Sequence, residues 1–407
     1  MTDVSLIFKI HQPVRLKKHG MNYLGKNFQD RYFDSNLNKH LFERVFNKCY
    51  WPATNMLLHL AESMKAEKKK FKVAFSMSGI WVEQAERWKP ELLDLFKQFP
   101  KNCVEFIGET YYHSLASLFE NHTEYTEQLK QQRELMKSLF GKEPTVVTNT
   151  ELVYNNMIAK AVEGMGFKGI FTEGAPHVLG WRSPNHVYKA VKSDLAILLR
   201  NRSLTDDIGY RFSARWWDQW PLTAEKYSSW LSATPGDCIN IYMDYETIGE
   251  HHWEDTGIFW FFNALPYQVN KYQNLRFALP AEIIERHKPD GEFDVFELST
   301  ISWADMEMDT SAWLGNKMQM MCFKEIKEIE ELVKRTGDEE ILKTWRMLQT
   351  SDHMHNICTK FWSDGDVHKY FSYFDTPHEG FITLMEVLHD FKNRIFEINA
   401  ERGAGQK

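Results

Sequence analysis

Short apolar runs alternate along the first 300 residues with longer segments in which apolar positions recur at helical spacing. The clearest candidates for buried strands are residues 4–10, 72–78, 103–108, 145–150, 169–172, 195–199 and 239–243. Weaker strand signals lie at 277–279 and 293–298. The best helical patterns lie at 82–99, 124–140 and 155–165. This alternation predicts an α/β fold with parallel strands and helical crossovers. About seven strands in some 300 residues favour an irregular barrel over an open sheet.

The strand signals stop after about residue 309, and the remaining chain has the pattern of helices. The predicted helices are 312–334, 339–360 and 377–399. Gly337 and Asp338 break the pattern between the first two of them. We therefore expect residues 1–300 to form the barrel and residues 301–407 to form a C-terminal helical region that completes the cleft.

Polar residues that could take part in catalysis or binding follow several of the predicted strands. His11 follows the first strand, Glu109 the third, Glu151 the fourth and Asp244 the seventh. In parallel barrels the active site lies at the C-terminal ends of the strands. These four residues are therefore candidates for one site, although each alone has a structural alternative, such as an acid placed near a helix N-terminus.

Composition and charge exclude several classes of protein. Hydrophobic residues make up 43% and charged residues 26%, which is typical of globular proteins. The net charge of −7 disfavours nucleic-acid binding, which usually needs a basic excess. The five cysteines are far apart, which favours reduced thiols over disulfides or a zinc site. Without a signal-peptide pattern or a run of about 18 apolar residues, we expect a cytoplasmic protein with no membrane partner.

The strongest chemical signal is a cluster of acidic and aromatic residues at 242–253. An apolar strand leads directly into Asp244, and Glu246 and Trp253 follow within nine positions. A tryptophan ring can stack on a pyranose, while carboxylates bind hydroxyl groups or act as acid and base. The cluster therefore indicates a sugar site, and its alternative is a solvated, acid-rich loop.

Acidic and aromatic residues are mixed at other places as well. Two further segments contain Trp216, Trp217, Trp220, Trp303, Asp305 and Asp309. Residues 104–114 place Glu105 and Glu109 beside a Tyr-Tyr-His run, although tyrosine pairs are usually core residues. Recurrence at four places is difficult to explain by core packing and is natural for an extended glycan groove.

Motifs of several other enzyme classes do not occur in the sequence. There is no GxSxG elbow, no P-loop, no GxGxxG before a helix and no HExxH. A mixed Asp/His metal site assembled from separate strands stays open, because such a site has no fixed sequence spacing.

Five short motifs, in order along the chain, resemble the five sequence regions that characterise glycoside hydrolase family 57. The motifs are 11–13 (HQP), 105–112 (EFIGETYY), 150–154 (TELVY), 243–249 (MDYETIG) and 303–315, in which the region-five acid is Asp305 or Asp309. A later run, 364–371, is also similar to the shorter α-amylase-type members. The resemblance covers most of the chain.

The resemblance implies an irregular (β/α)7 barrel with a C-terminal helical bundle and a retaining enzyme that acts on α-glucans. The matching positions make Glu151 the nucleophile and Asp244 the general acid/base. Together with sugar-stacking tryptophans, they give as substrate-binding candidates His11, Glu105, Glu109, Glu246, Trp253, Trp303 and Asp305. The family is described as needing no metal or other cofactor.

The function expected from this resemblance is α-amylase-like hydrolysis of starch, glycogen or maltooligosaccharides. A 4-α-glucanotransferase or branching enzyme is the alternative, since the loops around a site control whether water or a sugar accepts the glycosyl group. A second alternative is a metal-dependent carbohydrate hydrolase or deacetylase on a related barrel. A third is a glycan-binding protein without catalysis.

Overall fold

The fold is built on strands that pair mostly in parallel. A computed structural model describes residues 1–18, 20, 25, 27–360 and 372–404. The strands in these residues are β1 (Thr2–Ile10), β2 (Val73–Met77), β3 (Val104–Ile107), β4 (Val146–Thr148), β5 (Gly169–Glu173), β6 (Tyr188–Ala190), β7 (Ala196–Arg200), β8 (Cys238–Asp244), β9 (Leu275–Phe277) and β10 (Glu292–Phe293).

Seven parallel strands form the barrel: β1, β2, β3, β4, β5, β7 and β8. Around the wall β1 pairs with β2 and β2 with β3, while β4 pairs with β5, β5 with β7, and β8 with β1. The wall is thin at two seams. β3 and β4 meet through the bridge between Gly108 and Val147, and β7 meets β8 through the pair Arg200 and Asn240. The barrel is therefore irregular and incompletely closed, and the seven strong strands predicted from the sequence are confirmed.

Helices surround the barrel and build the C-terminal region. They are α1 (Phe28–Tyr32), α2 (Ser35–Val45), α3 (Trp51–Ala66), α4 (Gly79–Trp88), α5 (Pro90–Lys97), α6 (Thr123–Phe140), α7 (Asn156–Gly164), α8 (Pro176–Leu179), α9 (Arg202–Gly209), α10 (Ala224–Ala233), α11 (Ile258–Val269), α12 (Pro280–Arg286), α13 (Ser311–Leu314), α14 (Lys317–Glu328), α15 (Glu330–Thr336), α16 (Glu339–Met347), α17 (Ser351–His355) and α18 (Pro377–Ala404). A π-helical turn, Phe46–Tyr50, joins α2 to α3.

Three of the predicted helices are divided in the structure. The helix predicted at 82–99 is α4 followed by α5, because Pro90 lacks the N–H that would continue α4 and instead begins the next helix. The helix predicted at 312–334 is divided at Asn316, whose side chain caps α14 by accepting the N–H of Gln319. The strand predicted at 293–298 is limited to β10 at its start.

The helix predicted at 339–360 is interrupted between α16 and α17. Thr350 forms an antiparallel bridge with Ser114, and the N–H of Ser351 donates to the carbonyl of His113 at 2.9 Å. These bonds tie the segment to a loop of the barrel and draw it out of helical geometry, because the backbone groups find partners outside the helix. The last predicted helix is confirmed as α18.

The interior of the barrel is apolar, and each of its seven strands contributes at least one residue to it. These residues include Ile7, Ala74, Ile107, Val146, Phe171, Leu198 and Tyr242. They lie on the inward face because side chains alternate between the two faces of a strand. Among the described helices, none combines the length and apolar character that a membrane span needs.

Candidate active site

A polar layer follows the apolar interior toward the C-terminal ends of the strands. Residues two positions apart on a strand share a face, so the next inward positions can be read directly from the interior layer. These positions are Lys9, Ser76, Glu109, Thr148, Glu173, Arg200 and Asp244. The layer is internally bonded: Ser76 donates to Glu109, and Arg200 donates to Glu173 at 2.9 Å. The pleat of the strands therefore explains why charged groups converge at this end of the barrel.

Lys9 lies between the two predicted catalytic acids. Its Nζ is 3.1 Å from Oδ1 of Asp244 and 3.8 Å from Oε2 of Glu151. These two oxygens can therefore be no more than about 7 Å apart, which is compatible with the separation of roughly 5–5.5 Å between the carboxyl groups of retaining glycosidases. The structure thus brings Glu151 and Asp244 together.

Glu151 is held in an unusual backbone conformation. It lies in a short 3-10 turn after β4, with φ of 56° and ψ of 26°, in the left-handed region that non-glycine residues rarely adopt. Its Oε1 accepts hydrogen bonds from Nε2 of His113 at 3.0 Å and Oγ of Ser351 at 2.9 Å. Its Oε2 accepts from Nε1 of Trp303 at 2.8 Å. These bonds fix the carboxylate and are consistent with strain stored at a functional site.

The Glu151 carboxylate is kept ionised by its surroundings. Burial alone would favour the neutral acid, but the charge of Lys9 and the hydrogen bond from His113 outweigh it and hold the pKa of Glu151 well below its usual range. A buried carboxylate that stays ionised has the protonation state that a nucleophile needs.

His113 carries the positive charge behind Glu151. Burial and Lys9 lower the pKa of His113, but bonding to Glu109 and Glu151 outweighs both and raises it to about 9. Nδ1 of His113 lies 3.6 Å from the buried Glu109 carboxylate. Glu109 therefore acts on the site through His113, since it lies behind the imidazole and contacts Ser76 on its other side.

His11 connects the end of β1 to the C-terminal helices. Burial and the charge of His113, whose ring is stacked at 4.0 Å, lower the pKa of His11 to about 4. The neutral ring then donates from Nε2 to Asp352 at 3.0 Å and accepts from Ser78 through Nδ1 at 2.8 Å. His11, His113 and Lys9 together outweigh burial and hold the pKa of Asp352 well below its usual range. Asp352 is thus an ionised carboxylate at the cavity.

Glu246 has the opposite protonation from Glu151. Burial, reinforced by the neighbouring Asp244 carboxylate, raises the pKa of Glu246 to about 8. Its Oε1 accepts a hydrogen bond from the hydroxyl of Tyr50, on the π-helical turn. Glu246 is therefore a neutral acid at pH 7 that can both donate and accept a hydrogen bond.

Trp303 forms one wall around the two acids. Besides its bond to Glu151, its ring lies 4.8 Å from Nζ of Lys9 and 5.6 Å from the guanidinium of Arg200. Tyr242 packs edge-on against the same ring. Two cations and an aromatic neighbour thus hold the indole in one orientation.

These groups line a cavity of about 520 Å³, which is within the range of small-molecule sites. Lining side chains from the strand ends and from the C-terminal region include Lys9, His11, Glu151, Asp244, Glu246, Trp303, Asp305 and Asp352. The arrangement places an ionised carboxylate, a second carboxyl group and an aromatic ring around one polar space, which suits nucleophilic and acid–base chemistry on a sugar.

Residues 5–296 match the family model of Glycosyl hydrolase family 57. The chain belongs to this family. It is also 46% identical, over 99% of its own length and 89% of the other, to a protein of Methanocaldococcus jannaschii named "Putative alpha-amylase". As a family 57 member the chain is a glycoside hydrolase or transglycosidase with a carbohydrate substrate.

Solved structures share the fold at low sequence identity. A family 57 branching enzyme of Thermococcus kodakaraensis has a TM-score of 0.68 at 13% identity, over 97% of this chain and 90% of the other. The α-amylase AmyC of Thermotoga maritima has a TM-score of 0.56 at 12% identity, over 98% and 97%. The 4-α-glucanotransferase of Thermococcus litoralis has a TM-score of 0.57 at 15% identity, over 88% and 51%. The irregular (β/α)7 barrel with C-terminal helices is thus the fold of this family 57 chain.

Three of the predicted substrate-binding residues, Glu105, Glu109 and Trp253, lie away from the cavity lining, with Glu109 behind His113. Glu105 is buried within β3 and accepts the N–H of Ala281 at 3.0 Å, and burial raises the pKa of Glu105 to about 7. Trp253 is 59% exposed and lines a second cavity of about 660 Å³ with Phe259 and Asp255. The roles of these three residues in sugar binding stay predictions, and the positions of Glu105 and Trp253 do not support direct contact with the two acids.

The geometry separates the two candidates for the region-five acid. Asp305 lines the cavity and pairs with Lys360 at 2.8 Å. Asp309 instead lies just before α13, where its carboxylate accepts the N–H of Ser311 at 2.8 Å. The similar run at 364–371 lies outside the described residues.

Four residues of the site were not among the sequence candidates: Lys9, His113, Ser351 and Asp352. A lysine inside a strand interrupts an apolar run and is easily taken as an irregularity, yet strand alternation from Ile7 places Lys9 in the polar layer. Ser351 and Asp352 fall where the sequence predicts a continuous helix. The polar run at 350–353 is the signal that could have indicated the break.

Proposed function

We propose that this family 57 chain is a retaining enzyme that cleaves α-1,4-glucan by double displacement, with Glu151 as nucleophile and Asp244 as general acid/base. The observation that carries the proposal is the single lysine that contacts both carboxyl groups, since it holds one oxygen of each within about 7 Å of the other, as a retaining pair requires. The hydrogen-bonded, ionised state of Glu151 supports its assignment as nucleophile.

In the first step, an oxygen of Glu151 attacks the anomeric carbon and forms an ester bond to it. The glycosidic bond breaks, and its electron pair stays with the leaving oxygen. Asp244 gives its proton to that oxygen, so the leaving sugar departs as a neutral alcohol and Asp244 becomes a carboxylate.

In the second step, Asp244 takes a proton from water or from an acceptor hydroxyl group. The resulting oxygen attacks the anomeric carbon on the face opposite the Glu151 ester, from which the leaving sugar departed, and the ester bond breaks with its electrons returning to Glu151. Two inversions at one carbon give net retention, and both carboxyl groups return to their starting state.

The remaining cavity residues are suited to hold the sugar. Asp352 and Asp305 offer acceptors for hydroxyl groups, and Glu246 offers a donor and an acceptor. His11 positions Asp352 through its hydrogen bond. Trp303 presents part of an indole face beside Glu151, where a pyranose ring can pack.

Hydrolysis of α-glucan, as in an α-amylase, is the activity we favour. It is supported by the relative at 46% identity and its name. Maltoheptaose distinguishes the outcomes: glucose and short maltosaccharides indicate hydrolysis, whereas products longer than seven units indicate a 4-α-glucanotransferase or branching activity. The cytoplasmic location expected from the sequence stays a prediction.

The nucleophile is tested by Glu151→Gln. We expect kcat to fall by at least about 10³-fold, because an amide cannot form the glycosyl ester. Far-ultraviolet circular dichroism should show an unchanged fold. The matched control is Glu143→Gln, an exposed glutamate paired with Arg133 and Lys137, which should retain full activity. Full activity of Glu151→Gln would refute the assignment.

Product stereochemistry tests the double displacement directly. Proton nuclear magnetic resonance during the first minutes of hydrolysis should show the α-anomer of the new reducing end before mutarotation. Early formation of the β-anomer would indicate inversion. Two measurements distinguish a metal-dependent hydrolase. Elemental analysis would find a tightly bound zinc, and a chelator would abolish the activity.

A further inference from the structure

Lys9 is a charged residue near the C-terminal end of β1, the longest strand of the barrel wall, and its side chain is 11% exposed. Burying an ammonium group is unfavourable unless it is paired. Lys9 is paired on both sides, by Asp244 at 3.1 Å and Glu151 at 3.8 Å, with the Trp303 ring against its Nζ. A fixed cation between the two carboxyl groups influences the ionisation of both.

The charge balance of the proposed reaction indicates the role of Lys9. Before the first step Glu151 is ionised and Asp244 holds the proton. After that step Glu151 is an uncharged ester and Asp244 is a carboxylate. One negative charge is therefore present at each stage, but on a different residue, and Lys9 is within reach of both.

We propose that Lys9 is the shared counter-ion of the two carboxyl groups, and that its ammonium group pairs with Glu151 in the substrate complex and with Asp244 in the glycosyl–enzyme. This inference rests on the proposed roles of Glu151 and Asp244. Lys9 transfers no proton. It is a positioning residue whose positive charge offsets the one negative charge of the pair at each stage, while the ionised carboxyl group alternates.

Lys9 stays charged throughout because of its neighbours. Burial alone would lower the pKa of Lys9, but its pairing with Asp244 and Glu151 outweighs burial and raises the pKa well above its usual value. Other titratable groups also interact electrostatically with Lys9. They are Tyr242 on β8, Glu246 and His251 in the loop after β8, Asp352 on α17, His113 after β3 and His11 after β1.

These neighbours do not replace Lys9 in its role. Tyr242 is kept neutral by burial, which raises its pKa far above the working range, and burial lowers the pKa of His11 to about 4. His113 is another cation of the site, and it pairs with Glu151 at 3.0 Å and with Glu109 at 3.6 Å. Among the cations in the described part of the chain, Lys9 is thus the one seen to contact both catalytic carboxyl groups.

The experiment measures the pH profile of kcat/KM on maltoheptaose for the wild type and for Lys9→Met, Lys9→Gln and Lys9→Arg. Removing the cation favours the protonated form of both carboxyl groups. We therefore expect both limbs of the bell to move to higher pH by at least about half a unit, with a loss of at least about tenfold at the optimum. Lys9→Arg should restore most of the wild-type profile, because it keeps the charge.

Lys72→Met is the matched control, since the Lys72 side chain is also largely buried and is paired with a carboxylate, Glu282. Lys72 directly precedes β2, at the end of the strand away from the cavity. It should leave both limbs in place. Circular dichroism and thermal melting identify folded variants, and Lys9→Gln serves where Lys9→Met does not fold. Limbs that stay in place, or that move in opposite directions, would overturn the counter-ion role.

Failure of this inference differs from failure of the proposed function. If Glu151→Gln is inactive and the product is retained, but folded Lys9→Met and Lys9→Gln keep the wild-type limbs, the mechanism stands and the counter-ion role is wrong. If Glu151→Gln is active, the proposed function is wrong, and the alternating charge on which the role of Lys9 depends is absent.

Discussion

Two glutamates in one cavity reach opposite protonation states, and the difference lies in their neighbours. Both are buried, which favours the neutral acid. Glu151 faces Lys9 and the charged His113, which outweigh burial. Glu246 faces the Asp244 carboxylate, which adds to burial and raises the pKa of Glu246 to about 8. Pairs of carboxyl groups driven apart in this way are how one site supplies both an anion and a neutral acid at pH 7.

This contrast predicts that Glu246→Gln is mild. Glutamine has the shape of a neutral glutamic acid and can still accept the hydroxyl of Tyr50. We expect Glu246→Gln to lower kcat/KM at pH 6–7 by less than about tenfold, and Glu246→Ala by about 10²-fold or more, because alanine removes the hydrogen bonds altogether. Steady-state kinetics on maltoheptaose measure both. An equal and severe loss in the two variants would mean that Glu246 must be ionised.

At the scale of elements, the loop after β8 depends on one glycine. Gly249 has φ of 102° and follows the turn that carries Glu246. A Cβ at this position would lie 2.0 Å from the carbonyl oxygen of Lys48, in the π-helical turn that also carries Tyr50. The close approach of two backbone segments is what brings Tyr50 to Glu246, and it requires a residue without a side chain.

Gly249→Ala should therefore reduce both stability and activity. Left-handed strain and the backbone clash together should lower the free energy of unfolding by at least about 2 kcal/mol, and kcat/KM should fall because the loop that lines the cavity shifts. Gly257→Ala is the control: its φ is 85°, but its Cβ meets open space. That variant should lose only about 1 kcal/mol and remain active. Urea denaturation and kinetics measure both, and equal effects would contradict the role of the close approach.

The elements also show what the sequence could and could not predict. Glu151 and Asp244 were found because apolar strands end just before them, and strand ends are visible in a hydrophobic pattern. Lys9 was missed although the alternation that starts at Ile7 places it in the polar layer. Asp352 could not be placed, because the bonds that interrupt the helix at 339–360 are made with a barrel loop more than 200 residues away. Such long-range pairing overrides a local helical pattern.

At the scale of the whole molecule, the barrel and the C-terminal helices build one site. Ser351 donates to Glu151, and Asp352 accepts from His11, so α17 completes the surroundings of the nucleophile. The contact is secured nearby by Gln128 of α6, whose side chain donates to Gln349 at 3.0 Å. The boundary between residues 1–300 and 301–407 stays a prediction, but the two parts share their central hydrogen bonds and should unfold together.

Arg346→Met tests this coupling at a distance from the substrate. Arg346 of α16 donates from Nε at 2.6 Å to Glu124 of α6, a carboxylate with no exposed surface that also pairs with Lys334 at 3.2 Å. Removing Arg346 leaves Glu124 buried with less compensation and should lower the free energy of unfolding by about 3 kcal/mol. Because α16 leads into the segment that holds Ser351, kcat should fall as well. Lys324→Met, which removes an exposed pair with Glu328, should change stability by less than about 0.5 kcal/mol and leave kcat unchanged. Calorimetry should show one transition that moves to lower temperature in Arg346→Met, whereas two separate transitions would mean that the helices fold independently of the barrel.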